Sequence, residues 1–226
     1  MKAYHVYLLR HGITQGNEEG RYVGRVDLPV SAEGKRQLEE MKKKYLYPRA
    51  ELFFSSPRAR CVQSLELLYP GEAPQIVENL AECDFGDYEG KLFAELKDDP
   101  EYQKWASGST DSAPNGESSK AFQLRCCVAF EQIIDTLMRS DANSAVIMAH
   151  GGTIMSILGT YGFPRRPMYD WMTGSGMGFE ALITPQLWMS GKAVEVVGAI
   201  PLEKDEINYT EAGEFTGEIH EDDREF

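Results

Sequence analysis

Apolar and polar positions follow two alternating patterns along the chain, and these patterns predict its strands and helices. Short apolar runs typical of buried strands occupy residues 3–9, 50–54, 75–78, 144–150, 177–184 and 193–199. Between these runs, apolar residues recur at helical spacing. Strands that alternate with helices predict an α/β domain with three layers, in which helices cover both faces of a mainly parallel central sheet.

Three helices have predictable starts. Ser31 is the predicted N-cap of the first, because a serine oxygen can accept from a free backbone N–H of the first turn. Ser56 is the predicted N-cap of the second, with Pro57 as its first helical residue. A long amphipathic helix is predicted from about residue 117 to residue 139, and its apolar stripe consists of Cys127, Phe130, Ile134 and Leu137.

Residues 83–116 interrupt the regular pattern. They contain "GKLFAELKDDPEYQKWASGS", which predicts short helices followed by a Gly/Ser loop and indicates a small inserted lid. Tyr102 and Trp105 are three residues apart, and we expect them to pack the lid onto the body rather than to stack on a ligand. Residues 1–202 are predicted to form a single domain, and residues 203–226 an acidic C-terminal tail.

The composition is that of an ordinary globular protein. Apolar residues make up 42% and charged residues 26% of the chain. No run approaches the roughly 18 consecutive apolar residues of a membrane span. The four cysteines include no C-x-x-C pair, which favours reduced thiols over a metal ribbon or a disulfide framework. Together these features predict a soluble, cytoplasmic protein.

Charge narrows the possible partners. The formal net charge is −13, and residues 203–226 contribute ten acidic and two basic residues to it. Nucleic acid and anionic membranes both require a basic face, so neither is an expected partner. The tail belongs to no motif, and we interpret it as a solvated end rather than as a partner-binding or metal-binding arm.

Reactive side chains stand where the predicted strands end. Arg10 and His11 end the first strand, and His150 ends another. Arg58 lies in the first turn after a third strand, and Glu82 follows a fourth by a few residues. Ligands of open α/β sheets bind outside the carboxyl ends of the strands, so these five residues are predicted to converge at one edge.

Two arginines and two histidines in one crevice are typical of a phosphate site. Arg10 and Arg58 can each present a planar fork to phosphate oxygens. A neutral His11 can attack phosphorus, and a protonated His150 would stabilise charge on the transferring oxygens. A protonated Glu82 is the candidate acid for the leaving alkoxide. This chemistry requires neither a metal nor a cofactor.

Five segments carry these residues, in the order "LLRHGITQGN", "RYVGRVDLPVSAEGKRQ", "FSSPRARCVQSLE", "LAECDFGDYEG" and "VIMAHGGTIMSIL". Together they resemble the histidine phosphatase superfamily, in the branch of the cofactor-dependent phosphoglycerate mutases and small phosphatases. The resemblance covers about residues 3–200. It implies that His11 becomes phosphohistidine, that Asn17 contacts the phosphate, and that Arg21 and Gly151 face the substrate.

Within that branch, the residues favour hydrolysis. The mutases carry an arginine directly after the acid and further basic residues in the lid, whereas here Cys83 follows Glu82, and residues 91–116 contain only Lys91, Lys97 and Lys104. The compact length and "DFGDYEG" resemble the α-ribazole phosphatase type. The resemblance thus implies a metal-independent phosphatase acting on a small phosphate monoester. A phosphoglycerate mutase and a non-catalytic phosphate-binding protein are the alternatives, and the oligomeric state stays open, with a homodimer as one option.

Several other polar residues are interpreted as structural. His5 lies in the middle of a strand. Glu117 and Ser118 are expected to start the long helix. Four arginines are expected to be surface charges, although one of them, Arg60, is close enough to Arg58 to merit testing; the four are Arg60, Arg125, Arg165 and Arg166.

Overall fold

The computed structural model describes residues 2–204. Within that range the strands are β1 Tyr4–Arg10, β2 Tyr45–Leu46, β3 Leu52–Ser55, β4 Gln75–Ile76, β5 Ser144–Ala149, β6 Gly162–Phe163, β7 Gly178–Ile183, β8 Val194–Ile200 and β9 Leu202–Glu203. The α-helices are α1 Gln15–Glu18, α2 Ala32–Lys44, α3 Ala59–Leu68, α4 Phe93–Leu96, α5 Pro100–Ala106, α6 Ser119–Arg139, α7 Gly151–Tyr161 and α8 Pro185–Gly191. Short 3-10 helices occupy Glu78–Leu80, Gly86–Tyr88 and Met168–Trp171.

Seven strands form the central sheet, in the order β4-β3-β5-β1-β7-β8-β6. Neighbouring strands from β4 to β1 are parallel, β7 is antiparallel to both β1 and β8, and β6 is parallel to β8. Arg10 lies opposite Ala149 in the register, so β1 and β5 end level with each other. The residues that follow these two strands, His11 and His150, are therefore neighbours at the carboxyl edge.

Both faces of the sheet are apolar, and helices cover both. In β5, Val146 and Met148 belong to the core that includes residues of α2 and α3. Ala145 and Ile147 point the other way and belong to the core that includes residues of α6, α7 and α8. Side chains of a strand alternate between its two faces, so a strand that is buried throughout needs a helical layer on each side. The predicted three-layer α/β/α fold is confirmed.

The predicted starts of α2 and α6 agree with the structure, but that of α3 does not. Ser31 caps α2, and Ser118 caps α6, which begins two residues later than expected. The N-cap of α3 is Arg58, so Ser56 and the proline after it lie outside the helix. The Ser56 hydroxyl is used elsewhere, because its Oγ lies 2.7 Å from Nε2 of His150.

The lid, residues 83–116, is built around a cluster of aromatic side chains. Tyr102 and Trp105 pack against Tyr22 of the body, and the hydroxyl oxygens of Tyr22 and Tyr102 are 2.6 Å apart. Tyr88 and Phe85 complete the cluster. The expected packing role of Tyr102 and Trp105 is confirmed.

The described chain continues slightly beyond the predicted domain boundary. The short strand β9 pairs with β2, and Lys44 Nζ lies 2.7 Å from Glu203 Oε1. The rest of the predicted acidic tail, residues 205–226, lies outside the described residues. In the part of the chain that is described, no helix is long and apolar enough to cross a membrane. All four cysteines are free thiols.

Candidate active site

His11 follows β1 directly and is 4% exposed. Its Nδ1 lies 2.7 Å from the carbonyl oxygen of Gly12. A carbonyl oxygen can only accept, so Nδ1 carries the proton and Nε2 keeps its lone pair. Burial lowers the pKa of His11 to about 3, with further lowering by the charges of Arg60 and Arg10. His11 is therefore neutral, as its predicted role as a nucleophile requires.

His150 is fully buried, and its ring meets that of His11 edge-on, with 5.1 Å between centroids. Arg60 Nε donates to His150 Nδ1 at 3.3 Å, so the ring proton is on Nε2, which donates to Ser56 Oγ. Burial lowers the pKa of His150 well below its usual value, and His11 and nearby arginines lower it further. The expected protonated His150 is therefore wrong for the protein itself, although the charge of a bound phosphate would raise this pKa again.

Arg60 is the functional candidate that the sequence interpretation missed. We expected a surface charge, but the side chain is 0% exposed and contacts His150. Its charge also contributes to the pKa of His11 and of Glu82. One sequence signal was available, because the spacing S-x-x-x-R-x-x-x-S, counted from Ser56, falls on Arg60 rather than on Arg58.

Arg60 also holds the loop of residues 23–26 over the site. Its Nη1 donates to the carbonyl of Val26 at 3.0 Å, and its Nη2 to that of Gly24 at 2.9 Å. From the other side, the Glu89 carboxylate accepts the backbone N–H groups of Gly24, Arg25 and Val26 at 3.2, 2.7 and 3.3 Å. The loop is thus fixed through its carbonyls by a buried cation and through its N–H groups by a carboxylate.

Arg10 and Arg58 each have a buried N–H group that lacks an acceptor. Arg10 Nη1 donates to the carbonyl of Thr173 at 2.7 Å, but its Nε finds no partner among residues 2–204. Arg58 Nε is likewise buried without a described partner. Unsatisfied buried donors are rare, and an anion between these side chains would satisfy both. Arg58 lies nearer the surface than the fully buried Arg60.

Glu82 is held by two backbone N–H groups. Cys83 N donates to Oε1 and Gly152 N to Oε2, each at 2.9 Å. A Cβ atom at Gly152 would lie 2.4 Å from Oε1, so this close approach requires glycine. Burial raises the pKa of Glu82, against the opposing effects of the two hydrogen bonds and of Arg60 and Arg10. A carboxyl group with a raised pKa suits the predicted role as a proton donor.

Arg125 was also expected on the surface, and that expectation is wrong. Its guanidinium binds both carboxylate oxygens of Glu117, at 2.7 and 2.8 Å. It also donates to the carbonyls of Asn79, Ala81 and Glu82. Arg125 therefore fixes the backbone segment that carries Glu82, because three carbonyls of that segment accept from one cation.

The other residues interpreted as structural lie as expected. His5 Nδ1 is 2.7 Å from Glu180 Oε1, across the pair of strands β1 and β7. Arg165 and Arg166 are exposed.

Asn17 and Gly151 support the site from its rim. Asn17 Oδ1 accepts from the backbone N–H and the hydroxyl of Thr14, at 3.1 and 3.0 Å, and so orders the loop after His11. Gly151 begins α7, and a Cβ there would lie 3.6 Å from the guanidinium carbon of Arg10. Contact of Asn17 with a phosphate, and of Gly151 with a substrate, stay predictions.

Arg21 is placed differently from the other candidates. It pairs with Glu19 and donates to the carbonyl of Gly90 at 2.7 Å. These contacts tie the loop after α1 to the lid, and among the described residues neither His11 nor Arg58 is a hydrogen-bond partner of Arg21. Its predicted contact with substrate stays a prediction.

We expect different effects on stability from removing Arg58 and Arg60, the two arginines at the start of α3. Arg60→Ala leaves buried carbonyls and His150 Nδ1 without a donor, so the free energy of unfolding should fall by about 2–5 kcal/mol. Arg58→Ala is the matched control, because its guanidinium has no described acceptor, and its loss should cost less than about 1 kcal/mol. Denaturant unfolding of both variants tests this. Equal effects would mean that Arg60 does not hold the loop.

The arrangement unites a neutral imidazole, three arginines and a carboxyl group with a raised pKa. The groups present can bind an anion, attack it with nitrogen and supply a proton. Within residues 2–204, no cluster of three or more His, Cys, Asp or Glu side chains is arranged to hold a metal ion.

One family model and several known proteins match the chain. The model, described as the histidine phosphatase superfamily (branch 1), matches residues 6–171. The adenosylcobalamin/alpha-ribazole phosphatase of Escherichia coli K12 is 27% identical over 178 residues, which are 76% of this chain and 86% of that protein. The sedoheptulose 1,7-bisphosphatase of Saccharomyces cerevisiae is 28% identical over 173 residues, 64% of this chain and 62% of that protein. A crystal structure of phosphoglycerate mutase from Thermus thermophilus matches with a TM-score of 0.62 and 28% identity, over 88% of this chain and 99% of that one.

Proposed function

The chain belongs to the histidine phosphatase superfamily (branch 1), and we propose that it is a metal-independent phosphatase that hydrolyses small phosphate monoesters through a phosphohistidine on His11. One observation carries this proposal. The Nδ1 proton of His11 is fixed by the Gly12 carbonyl, which leaves Nε2 as a neutral nucleophile beside Arg10 and Arg60. An imidazole kept neutral among fixed cations suits attack on an anionic phosphoryl group.

In the first half-reaction, His11 Nε2 forms a bond to phosphorus, and the ester P–O bond breaks. Arg10 and Arg60 stabilise the charge that spreads over the transferring oxygens. His150 donates from Nε2, which now contacts Ser56, and a bound phosphate oxygen can take that place. Glu82 gives its proton to the departing alkoxide, so the alcohol leaves neutral.

In the second half-reaction, the Glu82 carboxylate removes a proton from water, and the water oxygen attacks the phosphorus of phospho-His11. The N–P bond breaks, inorganic phosphate leaves, and both His11 and Glu82 return to their starting protonation states. The two backbone N–H groups on Glu82 keep its carboxylate in place through both steps.

The residues beside Glu82 support hydrolysis over mutase chemistry. The next side chain is the Cys83 thiol, whose pKa burial raises to about 12, so it offers no positive charge to a substrate carboxylate. In the lid, Lys104 is paired with Glu101. A mutase has to retain the dephosphorylated acceptor, and fixed cations at these positions would serve that purpose.

The substrate is proposed only as a class. The relatives are named for an alpha-ribazole phosphate, a sugar bisphosphate and a phosphoglycerate. We place alpha-ribazole phosphate among the first compounds to test, because the lid motif "DFGDYEG" resembles that type.

Release of inorganic phosphate from a panel of small phosphate esters tests the proposal. We expect stoichiometric release that a chelator does not reduce, and inhibition by vanadate, which mimics five-coordinate phosphorus. Interconversion of 2- and 3-phosphoglycerate faster than phosphate release would instead identify a mutase. Binding of vanadate without turnover of any ester would identify a phosphate-binding protein.

A further inference from the structure

An open cleft of about 470 Å³ adjoins the candidate active site at Glu82. If Glu82 protonates the leaving oxygen, as the proposed function requires, the alcohol portion of the substrate is attached beside Glu82 and extends into this cleft. The charged residues of the cleft therefore meet the part of the substrate that distinguishes one phosphate ester from another. They are Arg25, Arg58, Glu78, Asp84, Glu117 and Arg125.

Most of these charges already have partners. Arg125 and Glu117 form a bidentate pair. Arg25 Nη1 lies 3.1 Å from Asp84 Oδ2, and this pair is the weaker one because 73% of the Arg25 side chain is exposed. Glu78 is an exposed acid of the cleft wall.

Arg58 is the exception. Among residues 2–204, its guanidinium has no acceptor, and its Nε is buried. The position is nevertheless specified by the fold, because Arg58 is the N-cap of α3, and Ala59 N is anchored to Asp27 Oδ1 at 2.8 Å. Its charge contributes to the lowered pKa of both His150 and Arg60, which places it close to the reacting groups. A buried N–H that lacks an acceptor, facing a cleft next to the reaction centre, suits an anionic group of the ligand.

Resting on the proposed function, we propose that Arg58, assisted by Arg25, binds a second anionic group of the substrate. Preferred substrates are then phosphate monoesters whose alcohol portion carries a carboxylate or a second phosphate. Arg60 and Arg10 hold the reacting phosphoryl group, and Arg58 reads the charge at the other end of the molecule. A guanidinium fork with a free Nε suits either anion, because both present paired oxygens.

Matched substrate pairs test the inference. 3-Phosphoglycerate and glycerol 3-phosphate differ by a carboxylate, and fructose 1,6-bisphosphate and fructose 6-phosphate by a second phosphate. For at least one pair, the wild-type protein should show kcat/KM higher by roughly 10- to 100-fold for the doubly anionic member, as expected for one charge-assisted contact. Equal kcat/KM values within both pairs would overturn the inference. Phosphate release from none of the four esters, nor from any other, would instead overturn the proposed function.

Two variants assign the preference to residues. Arg58→Met keeps much of the side-chain volume and removes the charge, so the ratio within the preferred pair should fall at least about tenfold, by the magnitude of such a contact. Asp84→Asn removes the competing charge beside Arg25, while an asparagine Oδ1 can still accept from Gly86 N, which now donates to Asp84 Oδ1. That ratio should therefore rise.

Arg139→Met is the control, because Arg139 is an exposed arginine at the end of α6, outside the cleft. It should leave the ratio unchanged. A ratio that survives Arg58→Met, or that falls in Asp84→Asn, would contradict the assignment. If Arg58→Met does not fold, the direction of the Asp84→Asn effect decides.

Discussion

His11→Ala should reduce phosphate release by about 10⁴-fold or more, because it removes the atom that forms the covalent intermediate. The expected loss lies in kcat, since Arg10, Arg60 and His150 remain to bind the phosphoryl group. The fold should persist, because the substitution removes only a hydrogen bond between Nδ1 and the adjacent Gly12 carbonyl. Steady-state kinetics and thermal unfolding together measure both effects.

His5→Ala is the matched control for this variant. His5 lies in the same strand, β1, but its ring contacts Glu180 rather than the site. It should keep phosphate release within a few-fold of the wild type, with at most a small loss of stability from one part-exposed ion pair. Activity of His11→Ala near that of His5→Ala would show that His11 is not the nucleophile.

Glu82→Gln should separate substrates by their need for a proton. Turnover of an alkyl phosphate should fall by about 10²–10⁴-fold, the usual contribution of a positioned general acid. p-Nitrophenolate leaves readily without a proton, so the first step with p-nitrophenyl phosphate should stay fast. Hydrolysis of phospho-His11 then becomes limiting, because the variant cannot activate water. The variant should release a burst of nitrophenol near one equivalent per site, which stopped-flow absorbance measures.

The raised pKa of Glu82 adds a pH dependence with a defined sign. The acid form needed in the first step is present below this pKa and is lost as the pH rises through it. In the wild type, the first-step rate on an alkyl phosphate, relative to p-nitrophenyl phosphate, should therefore fall with rising pH. The ratio cancels the titration that both phosphate groups share, and it should be flat in Glu82→Gln. Equal losses on both substrates with no burst would leave Glu82 with a structural role.

The reactive strand ends could be predicted because they depend on local pattern. A buried apolar run that stops at a polar residue indicates both the strand and its end, as for Arg10 and His150. Parallel strands then bring their carboxyl ends to one edge, so the neighbourhood of the two histidines follows from topology. The inserted lid could be predicted in the same way, from its loss of regular pattern.

The choice between Arg58 and Arg60 could not be made from that pattern. Two positions on a helix differ by about 200° in direction, so the residue that faces the site depends on where the helix begins. The predicted start at Ser56 was early, because His150 engages the Ser56 hydroxyl. Arginine is also seldom fully buried without partners. The partners of Arg60 are carbonyls of residues 23–26, which are distant in the sequence.

The protonation state of His150 was predicted wrongly for a related reason. An imidazole beside a phosphate is expected to carry a proton, but burial and the additional charge of Arg60 oppose it. The sequence contains the residues responsible, but not the distances that determine the balance between them.

Identification of the phosphorylated residue during turnover tests the central claim most directly. The wild-type protein is quenched in alkali while it hydrolyses a phosphate ester, and the phosphoryl group is located by tandem mass spectrometry. We predict one acid-labile, alkali-stable phosphoryl group on His11, and its absence from His11→Ala. Phosphate release with no phosphoenzyme, or with the phosphoryl group on another residue, would contradict the mechanism.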